Sequence, residues 1–177
     1  MKIPPKKKVL IIGLENTLVS KSVQSAEVLY EKIDIKMNIR PSADSFINIM
    51  SCFYELAIYS CYSSEFIKDI LEIIDPKNIV KIILSKCDCY NFGDGNYLKD
   101  IRKVSNSMKD VVIVDSSMYC FALCRRNGLF ISPYNGSSKD KELQSLGQFL
   151  MEISAVDDIR IEIKKKHPFL EMLGDFS

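Results

Sequence analysis

The sequence predicts an α/β domain built on a mostly parallel sheet with helices on both faces. Three observations predict it. Short, uninterrupted apolar runs recur, Val9 to Ile12, Leu56 to Tyr59 and Val111 to Val114, which is how strands buried on both faces read. Amphipathic stretches at helical spacing separate them, the alternation of a βαβ chain. Each run also stops abruptly on a polar tip: Glu15 to Thr17, Ser60, and Asp115 to Ser117. Sites in such sheets assemble outside the carboxyl ends of the strands. Any one tip is explained by capping of a following helix, but three on one edge define a cleft.

Along the chain, "KVLIIGLENTLVS", residues 8–20, is a buried strand running into a polar loop. In "EKIDIKMNIRP" the residues Ile33, Ile35 and Met37 alternate with charged ones, a period of two that predicts a half-exposed hairpin. Pro41 opens "PSADSFINIMSCF", where Phe46, Ile49, Met50 and Phe53 recur at helical spacing. "ELAIYS" is the second buried strand. "SEFIKDILEIIDP" is a helix with Phe66, Ile67, Ile70, Leu71 and Ile74 on one side and Pro76 closing it. "NIVKIIL" reads as a short strand, "DGNYLKDI" as a turn and its exit, "DVVIVDSS" as the third buried strand and "LFISP" as a fourth. "SKDKELQSLGQFLMEI" is a final helix with Leu143, Leu146, Leu150 and Ile153 aligned. No repeat or linker divides the chain. A single domain over residues 1–177 is expected, with its core in residues 7–160 and a C-terminal tail in 161–177.

Composition narrows the function classes. The chain has 177 residues, 47% hydrophobic and 27% charged, with a net charge of +1. That balance is ordinary for a globular domain, and its small net charge gives no global field suited to nucleic acid. The runs Lys6 to Lys8 and Lys164 to Lys166 read as solvated ends of elements. No apolar run approaches the ~20 residues of a membrane span, so no transmembrane segment is expected. No signal-peptide pattern precedes the six cysteines, Cys52, Cys61, Cys87, Cys89, Cys120 and Cys124. Most sit in apolar stretches, as reduced core cysteines do. Cys87 and Cys89 with Cys120 and Cys124 lack the two-residue knuckle of structural zinc sites, which argues against zinc. His167, the single histidine, falls in a polar tail and reads as a surface residue.

The blocks "GLENTLVS", "RPSADSF", "YELAIYS", "GNYLKDI", "VVIVDSSMYCFAL", "KDKELQSLGQFL" and "VDDIR", in this order, resemble the catalytic domain of C-terminal-domain phosphatases. These form the NLI-interacting-factor family, within the haloacid dehalogenase superfamily. The resemblance runs from about Lys7 to Arg160 and implies a haloacid-dehalogenase-like (Rossmann-type) sheet with a small β-hairpin insertion. Active members carry Asp-x-Asp-x-Thr after the first strand. The resemblance implies a first aspartate as nucleophile and a second as general acid and base. It also implies magnesium held with an aspartate of a later strand, and phosphate oxygens held by a hydroxyl and a lysine.

On this chain the pattern is broken. Gly13 stands at the nucleophile position and Glu15 at the acid/base position, while Thr17 matches the threonine. Ser60 falls on the phosphate-binding hydroxyl, Lys99 on the lysine and Asp115 on the metal-binding aspartate, followed by Ser116 where asparagine is usual. The resemblance thus implies a vestigial phosphate cradle of Ser60, Lys99 and Ser116 without a reacting group. Magnesium binding at Asp115 is expected to be weak or lost, and no other cofactor is expected. Removal of a nucleophile costs enzymes several powers of ten in rate.

One branch of the family, Tim50, has abandoned the Asp-x-Asp motif and serves the mitochondrial inner-membrane translocase as a presequence receptor. Its loop can read Thr-Leu-Glu-Asp, to which "GLEN" is similar, and "VDDIR" is similar to its segment after the last helix. The expected function is therefore a catalytically inactive binding module for a protein or peptide partner, a basic amphipathic presequence and translocase subunits, in a mitochondrion. Glu27, Glu31 and Asp34 beside Leu29, Tyr30 and Ile33 are candidates for that surface. The alternative is a nuclear or cytoplasmic protein serine/threonine phosphatase, active or reduced to phosphopeptide binding. Against the receptor stands the expectation that this chain has neither presequence nor membrane anchor.

Overall fold

The computed structural model describes residues 7–21, 37–93 and 95–168. Its centre is a sheet of five parallel strands. β1 (Lys8–Ile12) lies in the middle, between β4 (Tyr54–Tyr59) and β8 (Val111–Asp115), with β5 (Ile82–Leu84) and β9 (Gly128–Phe130) at the edges. Leu10 stands level with Leu56 on one side and Val112 on the other. The chain fills one half of the sheet before crossing β1 to fill the other. A crevice therefore opens beside the carboxyl end of β1, where the strand order reverses.

Alternation along the strands divides the core. Leu10, Ile12, Leu56, Ile58, Val112 and Val114 face a layer built from α1 (Ala43–Phe53), α2 (Ser64–Ile74), α3 (Glu142–Ile153) and α4 (Ile159–Lys166). Val9, Ile11, Ala57, Tyr59, Val111 and Ile113 face the other side, where Ile101 and Phe121 of two 3₁₀ segments, Ile101–Lys103 and Met118–Asn127, cover them. The apolar runs are continuous because both faces are covered. A further helix, α4, follows the one expected to be final; it carries Ile159 and Ile163 into the core, and Lys164 to Lys166 form its last turn, where cations suit the helix dipole.

The expected hairpin is present at its described end: β2 (Val19–Lys21) pairs antiparallel with β3 (Met37–Ile39). Ile33, Ile35 and the carboxylates Glu27, Glu31 and Asp34 lie outside the described residues. "DGNYLKDI" contributes a second small hairpin, β6 (Tyr90–Asn91) with β7 (Tyr97–Leu98).

Two further expectations need correction. On α1 the buried residues are Ala43, Phe46, Ile47 and Met50, whereas Ile49 is 49% and Phe53 38% exposed. At about 100° per residue, Ile49 points about 110° from the middle of that face, so Ile47 takes the core place assigned to it. The cysteines are all free, but only Cys120 is buried; Cys52 and Cys87 are exposed and Cys61, Cys89 and Cys124 are half-buried. Cys52 falls on the outward side of α1, and an apolar neighbourhood in sequence did not place it inside.

Candidate functional site

The tips of β1, β4 and β8 meet at the crevice. The backbone after β1 is held by Gly13 N–H donating to Val114 O at 2.9 Å, and by a tight turn in which Thr17, Leu18 and Val19 all donate to Leu14 O. Asn16 takes the left-handed conformation (φ 49°) that this turn requires and that asparagine tolerates. Thr17 is fully buried; its Oγ1 donates to Glu15 O at 3.2 Å and accepts from Ser116 N–H at 3.1 Å. Ser116 Oγ donates to Glu15 O at 2.9 Å. These two hydroxyls therefore tie the first loop to the end of β8.

Beneath the loop lies Arg40, fully buried. It donates to Thr17 O at 3.0 Å and Ser132 O at 2.9 Å, and grips Asp140 with Nε and Nη2 at 2.8 and 2.9 Å. This is the forked pairing that suits a guanidinium to a buried place. The ring of Tyr134 stacks on it at 5.5 Å, while Tyr134 N–H donates to Asn16 O at 2.7 Å.

The charged centre is Lys99, 1% exposed. Its Nζ donates to Asp115 Oδ2 at 2.6 Å and stands 3.7 Å from Glu15 Oε2. Burial opposes the ammonium charge, but the carboxylates of Asp115 and Glu15 overcome that penalty and hold Lys99 well above the usual lysine range. The other oxygen of Asp115 accepts from Ser117 N–H at 2.9 Å. The other oxygen of Glu15 accepts from Ser60 Oγ at 2.5 Å and from Cys61 N–H at 2.6 Å. A hydroxyl, a backbone N–H and a lysine ammonium converging on one group form an anion-binding cradle, and a carboxylate of this chain occupies it.

Gly13 acquires a physical reason in this setting. Its backbone is in a conformation any residue adopts, so conformational freedom does not explain it. A Cβ at Gly13 would overlap Asp115 Oδ2 and stand 3.0 Å from Asp115 Cγ and 3.3 Å from Thr17 Oγ1. Asp115 and its bond to Lys99 thus fill the space from which a side chain at position 13 would emerge.

All seven residues singled out from sequence, Gly13, Glu15, Thr17, Ser60, Lys99, Asp115 and Ser116, converge here. Sequence reasoning missed Arg40, Asp140 and Tyr134, and it gave Cys89 and Cys120 no place beside this site. Arg40 could have been noticed as a charged residue in the block "RPSADSF"; nothing local pointed to Asp140. Among the described residues, no group of three or more histidine, cysteine, aspartate or glutamate side chains is arranged to hold a metal ion. Asp115 is the carboxylate assigned to magnesium by resemblance, and both its oxygens are engaged within the chain. A divalent cation at Asp115 would have to compete with the Lys99 ammonium for Oδ2.

A five-stranded parallel sheet with its site at the carboxyl edge, a hairpin after the first strand and a lysine reaching that edge define a haloacid-dehalogenase-like domain. The family described as NLI interacting factor-like phosphatase matches residues 8–160, and the chain belongs to it. A solved structure of Fcp1, an essential RNA polymerase II CTD phosphatase, superposes with a TM-score of 0.67 at 15% identity, covering 97% of this chain and 67% of that one. CTD small phosphatase-like protein 2 of Dictyostelium discoideum is 30% identical over 97% of this chain and 33% of its own length. The mitochondrial import inner membrane translocase subunit TIM50 of Candida glabrata is 30% identical over 77% of this chain and 28% of its own. Phosphatase PSR1 of Saccharomyces cerevisiae is 27% identical over 84% and 36%. The chain thus spans about a third of the length of these curated relatives.

Proposed function

We propose that this domain is a phosphatase-derived binding module without phosphatase chemistry, and that it serves as a presequence receptor of the mitochondrial inner-membrane import machinery. The observation that carries the non-catalytic half is the closed cradle. Glu15 takes the donors of Ser60 and Cys61, Asp115 takes Lys99, and no side chain at position 13 is available to attack phosphorus. A covalent phosphatase needs a positioned nucleophile and an open anion site, and this crevice offers neither.

The receptor half draws on the translocase relatives and on chemistry suited to an amphipathic helix. A groove of about 290 Å³ runs between α1 and α3, lined by Phe46, Ile49, Met50, Leu143, Gly147 and Met151. Its polar lining is neutral: Ser42, Ser45, Gln144 and Gln148. Apolar walls with a neutral polar rim match the greasy face of an amphipathic helical peptide. The alternative, phosphopeptide capture, has support in the phosphatase relatives. It is weakened because Ser60 and Lys99, the groups that would hold the phosphate, already bind carboxylates of the chain.

The test is made on the full chain. An aryl phosphate with magnesium should show no turnover, and a fluorescent presequence peptide should bind saturably, more weakly as salt rises. Magnesium-dependent hydrolysis abolished by Asp115→Ala would overturn the non-catalytic reading. Failure to bind several unrelated presequences would overturn the receptor.

A further inference from the structure

Three of the six cysteines gather at one wall of the cradle, and the binding reading gives them no role. Cys61 directly follows Ser60, and its N–H is one of the donors to Glu15. Cys89 ends the 3₁₀ turn Lys86–Asp88, and its Sγ stands 4.0 Å from Cys61 Sγ. The same sulfur lies 3.6 Å from Ser60 O and 3.6 Å from Ser85 O. Cys120 is buried behind them, in the 3₁₀ segment whose carbonyl at Cys120 accepts from Lys99 N–H at 2.7 Å.

The approach of the first two sulfurs is built by backbone. Ser60 N–H donates to Leu84 O at 3.0 Å and Lys86 N–H to Tyr62 O at 2.9 Å, continuing the β4–β5 pairing past Cys61 to the start of the turn that ends at Cys89. Tyr59 OH donates to Asp88 O at 2.7 Å and fastens the turn from the other side. The two sulfurs are therefore held adjacent by the sheet edge. To close a disulfide the sulfurs must move from 4.0 Å to ~2.05 Å apart.

We propose that Cys61 and Cys89 form a redox-active dithiol, a modification site that a peroxide-class oxidant closes to a disulfide. The Cys89 thiolate attacks one oxygen of the peroxide and the O–O bond breaks. This leaves the sulfenic acid at Cys89 and releases water after protonation of the departing hydroxide. The Cys61 sulfur then attacks the Cys89 sulfur, the S–OH bond breaks, and the hydroxide leaves as water with the proton of the Cys61 thiol. In sum two thiols lose two electrons, one peroxide gains them, and two waters form. Exchange with an external thiol reverses the step. A hydrogen bond from Cys61 and the nearby Lys99 cation hold the Cys89 thiol below the usual cysteine range, which suits it to attack first. For Cys61 the Cys120 hydrogen bond pulls downward, but the Cys89 hydrogen bond and burial outweigh it and push the thiol up to about 12, so Cys61 stays protonated while Cys89 reacts and gives up its proton only as it attacks the sulfenic acid.

The bridge would fasten the loop that presents Cys61 N–H, and so clamp Glu15 in the cradle. The experiment uses the full chain carrying Cys52→Ser and Cys87→Ser, which removes the two exposed thiols. After treatment with hydrogen peroxide and alkylation of remaining thiols, non-reducing peptide mapping should show one cross-link, between the Cys61 and Cys89 peptides, with a loss of two hydrogens. It should vanish on reduction and in either Cys61→Ser or Cys89→Ser. Recovery of both thiols fully alkylated, or a cross-link joining Cys61 to Cys120, would overturn the assignment.

Discussion

Replacing Lys99 by methionine tests whether the crevice is closed on its own charges. At 2.6 Å from Asp115, the pair attracts by about 6 kcal/mol at an effective dielectric near 20. Glu15 at 3.7 Å adds about 4 kcal/mol on the same basis. Desolvation of the three groups cancels most of this, so the measurable quantity is the cost of removing one partner. Stranding Asp115, itself buried, should cost about 3–5 kcal/mol. For a domain of this size that is roughly a 6–20 °C fall in melting temperature. The assay is thermal unfolding by circular dichroism at pH 7 and pH 9. Lys99 is held above the ordinary lysine value of 10.5, so its contribution is fully present below that pH and fades only as pH rises through the folded value. The gap should therefore be equal at both pH values. Lys99→Met with Asp115→Asn removes both charges and should recover more than half of the loss. A single variant melting within about 2 °C of the parent, or above it, would refute the reasoning. It would mark Lys99 as a cation kept for an outside anion.

The same geometry predicts further outcomes. Gly13→Ala should destabilise by about 1–3 kcal/mol in urea unfolding, because its Cβ overlaps the Asp115 carboxylate. Gly13→Asp should lose at least as much, while freeing Asp115 to bind magnesium measurably by calorimetry. Arg40→Met should cost about 3–5 kcal/mol, since it strands Asp140 and leaves Thr17 O and Ser132 O without their donor. Arg40→Lys should rescue less than half, because an ammonium cannot make the fork. In alkylation with iodoacetamide, Cys89 should react with a midpoint below the usual thiol value of 9.0. Cys61, pushed up to about 12, should remain slow at pH 9; peptide-resolved mass spectrometry separates the two.

The parallel sheet was legible because its strands are buried on both faces and so read as unbroken apolar runs. The site was legible as a set of positions, since the carboxyl tips of β1, β4 and β8 are marked in sequence by Glu15, Ser60 and Asp115. How those side chains engage one another was not legible. Nothing in "GLENT" says that Glu15 turns toward Ser60 and Cys61, or that Asp115 leans into the space above Gly13; these depend on side-chain packing across three loops. Arg40 and Asp140 are a hundred residues apart, a pairing that no local pattern encodes. On α1, Ile49 fitted the helical period yet faces solvent, because periodicity gives an apolar stripe but not where its centre lies. The approach of Cys61 to Cys89 likewise arises where β4–β5 pairing leads into the turn before Cys89, whereas spacing alone had grouped Cys89 with Cys87, Cys120 and Cys124.

The central claim is that a carboxylate of the chain occupies the anion cradle, and the most direct measurement is calorimetric titration with inorganic phosphate. The unmodified chain should give no saturable heat at millimolar phosphate, with or without magnesium. The Glu15→Ala chain, with Ser60 Oγ and Cys61 N–H freed beside the Lys99 cation, should bind it. Saturable binding to the unmodified chain, no weaker than to Glu15→Ala, would contradict the account.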